Sequence, residues 1–177
     1  MAKRFNTKWS DASRQFQKEL MACSKGTTSI VRQSFVNANS DFLDTVQANK
    51  ENLPYYTANL HDSIVTAVSQ DGRLFRAQYM PVEATRPQHT RNRKRIMGEE
   101  EAYNAVRRLK APQKGVYSTL IVAVPYAEGA NESSYHPGYL DWLDNLFTSD
   151  MIAASKLVAL YKIYPGMKPV SPAKTRI

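Results

Sequence analysis

Ser63-Ile64-Val65-Thr66-Ala67-Val68-Ser69-Gln70-Asp71-Gly72-Arg73-Leu74-Phe75-Arg76-Ala77-Gln78-Tyr79 is the stretch on which the fold turns. Both arms are rich in β-branched and aromatic residues, and Asp71-Gly72 between them is a dipeptide whose backbone suits a tight hairpin. The segment predicts strands over 63–68 and 73–79, joined through 69–72.

Downstream, Pro81 to Met97 holds Arg86, His89, Arg91, Arg93, Lys94 and Arg95 with Glu83 as its single acid, and reads as a long exposed loop. Gly98-Glu99-Glu100-Glu101 then opens a helix through Ala102, Val106 and Leu109. Its acids lie in the first turn and Arg107, Arg108 and Lys110 in the last, the order the helix dipole favours. Residues 115–124 have strand composition, and the apolar run Leu120 to Val124 suggests burial on both faces, which makes this the expected central strand. Beyond a turn-rich connection, Tyr139 to Phe147 forms a Tyr- and Leu-rich helix. Ser149 or Asp150 caps a last one, with 156–164 open to either helix or strand.

Upstream, Trp9, Ala12, Phe16, Leu20 and Cys23 recur at helical spacing, and Gly26 is the expected stop. Val31, Phe35, Ala38, Phe42 and Val46 mark a second helix up to the Leu53-Pro54 break. The whole is an α+β chain. Two N-terminal helices (1–52) precede a body (53–164), which holds a small antiparallel or mixed sheet, the hairpin, helices on one face and the basic loop 81–97. A Pro- and Lys-containing tail (165–177) is expected to be mobile. One domain is the reading for 177 residues.

The net charge of +8 at pH 7 favours acidic partners, nucleic acid included. The lone Cys23 cannot form an internal disulfide and reads as a small buried hydrophobe. No apolar leader follows the basic N-terminus and no run approaches a membrane span, so cytoplasmic production and no membrane partner are expected.

Two segments resemble the lambdoid-type tail-component or neck proteins of tailed phages, in the version found in phages of Bacteroidetes. Tyr56-Thr57-Ala58-Asn59-Leu60-His61-Asp62-Ser63-Ile64 is similar to that family's Thr-Gly-Asn-Leu-x-Asp-Ser lead into its first strand. Leu120-Ile121-Val122-Ala123-Val124-Pro125-Tyr126-Ala127 is similar to its apolar strand closing in Pro-Tyr-Ala. The order of the parts also agrees, over roughly residues 27–161. The resemblance implies a virion protein assembled in host cytoplasm, forming a homo-oligomeric ring at the head-tail junction and contacting portal, adaptor and tail proteins. It implies a structural motif of Asn59, Leu60, Asp62, Ser63, Pro125, Tyr126 and Ala127, and no catalytic residue or cofactor. Ala58 stands where the family usually has Gly, which argues against a positive-φ turn there.

His61-Asp62-Ser63 places triad residue types in succession, but neighbours on a strand face opposite ways, and Asp62 reads as a turn residue bonding backbone amides. Glu128, Glu132, His136, Asp141, Asp144 and Asp150 form the densest ligand set apart from Glu99 to Glu101, and read as a solvated face with no metal. Neither GxGxxG nor GxxxxGK[ST] occurs. Arg86, Arg91, Arg93, Lys94 and Arg95 remain, as a solvated loop, an arm for acidic protein surfaces, or a non-specific contact to genome DNA. The expectation is a non-enzymatic neck subunit; the alternative is a non-specific nucleic-acid-binding protein.

Overall fold

A computed structural model describes residues 3–54, 58–89, 94–132 and 137–163, and within its two longest helices the side chains of Lys18 and of Lys25 through Ala154. The hairpin forms as the Asp-Gly signal requires. Strands β1 (Ile64–Gln70) and β2 (Arg73–Tyr79) meet through Asp71 at φ 48° and Gly72 at φ 80°, the paired positive values of a tight hairpin turn. The pairing is antiparallel, with an irregularity at Val68/Ser69. The third strand, β5 (Val116–Val122), also pairs antiparallel with β1, giving the order β2-β1-β5.

This order corrects the expectation that the strand 115–124 is the central one. β1 is central and almost wholly buried, whereas β5 is an edge strand of mostly intermediate burial. The reason is visible in its packing. Leu120 and Val122 join the cluster under the N-terminal helix, while Ile121 and Ala123 join the cluster on the opposite face. A continuous apolar run reports that both faces are used and does not report lateral position.

The N-terminal region is a single helix, α1 (Lys3–Ala48), not two. Gly26 does not stop it: an interior glycine costs only about 1 kcal/mol against alanine, and no proline follows to remove a backbone donor. Its 46 residues extend about 70 Å at 1.5 Å per residue. Among described side chains, none before Val36 is buried. The side chains of Trp9, Ala12, Phe16, Leu20 and Cys23 lie outside the described set. A 3-10 turn (Lys50–Asn52) and the short helix α2 (Asn59–Asp62) lead into β1.

The two helices expected around residues 139–160 are likewise one, α5 (Tyr139–Ile163), so 156–163 are helical. α5 packs along α1, with Phe42 and Phe147 edge to face at 5.4 Å, over a cluster that includes Val46, Leu60, Ile64 and Leu143. Helix α3 (Gly98–Arg108) covers the other face of the sheet, where Ala102 and Val106 meet Val65. Helices therefore stand on both faces, correcting the one-face expectation: β1 is apolar on alternate residues of both parities and needs two covers. The short helix α4 (Ala127–Asn131) follows β5, and the tail 165–177 lies outside the described residues. No helix among the described residues is long and apolar enough to cross a membrane.

Candidate functional site: a buried turn and the basic arm it anchors

Ala58 opens the motif turn at φ 57°, so the left-handed conformation is adopted despite its Cβ, against the sequence expectation. The turn is closed by Asp62 N–H donating to the Ala58 carbonyl at 2.9 Å. Asn59, Leu60, His61, Asp62 and Ser63 are all buried. Burial of that many polar groups is tolerable only if they are paired, and each of the two principal motif side chains is paired with a distant backbone.

The Asn59 side chain donates through Nδ2 to the Arg86 carbonyl at 3.0 Å and accepts through Oδ1 from Gly98 N–H at 2.9 Å. The Asp62 carboxylate accepts from Glu83 N–H at 3.0 Å and from Ala84 N–H at 2.7 Å. Two side chains thus clamp the segment 83–98 near its start, at Glu83, Ala84 and Arg86, and at its end, at Gly98. Gly98 is forced by the same contact, because a Cβ there would lie 1.9 Å from the Asn59 carbonyl oxygen.

A second chain of polar contacts ties the turn to α1. His61 Nδ1 lies 2.8 Å from Asp62 Oδ1 and Nε2 lies 2.6 Å from Gln47 Oε1. The Gln47 amide donates to Glu83 Oε1 at 2.5 Å, and Lys50 Nζ donates to Glu83 Oε2 at 2.9 Å. These two donors, Gln47 first and Lys50 second, hold the Glu83 carboxyl below the usual range.

His61 and Asp62 do touch, contrary to the strand argument, because they occupy a helical turn and not a strand. Ser63 is not part of that pair: its hydroxyl donates to the Leu60 carbonyl at 2.7 Å. The His-Asp-Ser sequence is therefore a buried joint and not a nucleophile with its base.

The segment 81–97 is less loop-like than its composition implied. It carries a two-stranded ladder, β3 (Gln88–His89) against β4 (Arg95–Ile96), and Ile96 is fully buried. The ladder forms because the clamps at Glu83, Arg86 and Gly98 bring its two halves together. Arg86, Lys94 and Arg95 are exposed on it, while Arg91 and Arg93 lie outside the described residues.

The second motif segment is structural in the same manner. Pro125 is exposed, but Ala127 is buried and its carbonyl accepts the Tyr139 hydroxyl at 2.6 Å. Burial pushes the Tyr126 phenol up to about 12. At the far end of the sheet, Asp71 Oδ1 accepts from Gly115 N–H at 2.9 Å, which holds its carboxyl below the ordinary value, with Gln70 adding a second bond. A shallow groove of about 440 Å³ lies between α1 and β2, lined by Leu43, Asp44 and Gln47 of α1 and by Arg76, Gln78 and Pro81. Among the described residues, no three His, Cys, Asp or Glu side chains converge as metal ligands would; His136 lies outside that set.

Fold and site together describe a small α+β scaffold whose buried polar turn fixes a cation-bearing arm. Neither family models, nor curated proteins, nor solved structures gave a match to the chain.

Proposed function

We propose that the chain is a structural virion protein of a tailed-phage neck, a subunit of a homo-oligomeric ring that links portal or adaptor to tail. The reading is carried by one observation: Asn59 and Asp62, central to the resemblance, use their hydrogen bonds to position an exposed arm and not to line a cleft. Pro125-Tyr126-Ala127 likewise belongs to the frame, through the carbonyl that receives Tyr139. Function is then geometric, with fixed buried joints and surfaces left for other chains. The test is the mass of the purified chain when mixed with portal, adaptor and tail proteins. A complex of defined mass supports the reading, and separate species with every partner count against it.

A second reading is favoured by the exposure of Arg86, Lys94 and Arg95: non-specific nucleic-acid binding through the arm. It requires duplex affinity that falls steeply with salt and drops when Lys94 and Arg95 are neutralised. Absence of binding at low salt removes it.

A further inference from the structure

The two lateral flanks of the sheet differ in charge, the arginines lying on one and only acids on the other, and each exposes apolar side chains. On the β2 flank, Arg73 and Arg76 of the edge strand are exposed, with the exposed Asp44 lining the groove beside Arg76 and the exposed Asp71 at the hairpin turn. Leu74, Phe75 and Val82 on that flank are 48%, 46% and 53% exposed. Leu74 escapes cover because α3 is short: its cluster on that face reaches Val65, Ala77 and Tyr79, and the Ser69 row that pairs Leu74 with Tyr117 lies beyond. Phe75, 46% exposed, has the Arg32 guanidinium set over its ring, 4.4 Å from the centroid.

On the β5 flank the chain continues into α4 and α5. Between Ala127 and Ser155 the sequence holds Glu128, Glu132, Asp141, Asp144 and Asp150 and no lysine or arginine. Asp141, Asp144 and Ile152 are exposed, and the helical repeat puts them on one outer face of α5, turned away from the buried stripe of Tyr139, Leu143 and Phe147.

β1 and β5 lie between the arginines of β2 and helix α5, which packs on α1 and β5 and carries Asp141 and Asp144 on its outer face. Neither flank can satisfy the other within a chain, yet each fits the other across two chains. A contact between different surfaces of identical subunits is head-to-tail, and it closes into a ring when the rotation per copy allows.

We infer that the β2 flank of one copy docks on the α4–α5 flank of the next, with Arg73 and Arg76 facing Asp141 and Asp144, and Leu74 and Phe75 covered beside Ile152. The occupant is a second copy because the acid-only surface that complements Arg73 and Arg76 lies on the same chain, on the opposite flank, in the arrangement that side-by-side subunits require. This inference rests on the ring reading and names the contact that builds the ring.

The experiment is sedimentation of the full chain at low and high salt, for the native protein and two charge-reversed variants. One is Arg73→Glu with Arg76→Glu, the other Asp141→Lys with Asp144→Lys, and circular dichroism checks that both are folded. The native chain is expected to sediment as an oligomer that dissociates with salt, each variant alone as a monomer, and the equimolar mixture of the two variants as an oligomer again. That rescue follows because every contact in the mixture is once more between opposite charges, which a fold defect cannot imitate. A native chain that stays monomeric at high concentration and low salt overturns the inference, and so do variants that associate as well as the native chain. A short DNA duplex that binds the native monomer and not the Arg73/Arg76 variant would assign the β2 flank to nucleic acid and likewise overturn it. Monomeric protein that nonetheless forms complexes with portal or tail proteins removes this contact and leaves the neck reading standing. Oligomers that ignore those proteins retain the contact and remove the neck reading.

Discussion

The motif turn and the β2 flank are built from adjoining stretches of sequence, yet they follow opposite rules. In the turn, Asn59, His61, Asp62 and Ser63 are buried, and the side chain of each has a hydrogen-bond partner. On the flank, Leu74 and Phe75 are apolar and about half exposed, among arginines. Buried, satisfied polar groups define one geometry, because any displacement leaves a donor or acceptor unpaired. Exposed apolar groups beside charge gain only when another surface covers them. The difference separates residues that hold this chain together from residues available to other chains.

Substitutions sharpen that separation, beginning with the largest effect. Gly98→Ala places a methyl against the Asn59 carbonyl, where backbone meets backbone and neither can yield, so a loss of about 3 kcal/mol or more is expected in chemical denaturation. Asn59→Ala leaves Gly98 N–H and the Arg86 carbonyl without their partner and is expected to cost about 2 kcal/mol. Amide exchange in 83–98 should quicken in the same variant, and unchanged exchange there would contradict the clamp.

Asp150 lies between the two rules. Burial raises its carboxyl above the ordinary 3.8, and the nearby Asp41 charge raises it further. Because the folded value is the higher one, the contribution of Asp150 to stability is greatest below the unfolded value and is lost as pH rises through the folded one. Asp150→Asn should therefore stabilise by about 0.5 kcal/mol at neutral pH, discounted for partial exposure, and the gain should vanish near about pH 3. Thermal melts at both pH values read the difference. The smallest effect belongs to the flank: Leu74→Ser should change the stability of the monomer by less than about 0.5 kcal/mol, since its side chain is already half in water.

Residues with local causes were legible in the sequence, and residues with distant partners were not. Asp71-Gly72 dictated the hairpin, and Glu99 to Glu101 with Arg107 and Arg108 marked both ends of α3, because turn geometry and helix dipole act over a few residues. Gly26 misled because glycine weakens a helix without breaking it, and no proline follows to remove a backbone donor. The run Leu120 to Val124 misled because alternation reports faces and not neighbours. Asn59 and Asp62 stood out as a motif, but their partners Glu83, Arg86 and Gly98 lie far along the chain, and no spacing rule links them. Nothing in the strand pattern marks Leu74 as exposed, since the length of α3, which leaves it bare, is a tertiary fact.

Purified virions imaged by electron cryomicroscopy give the most direct test that these surfaces serve other chains at a head-tail junction. The account predicts a ring of density between portal and tail into which this fold fits, with the β2 flank of each copy against α4 and α5 of its neighbour. Particles that lack the chain, with the protein recovered only from infected-cell lysate, would contradict it.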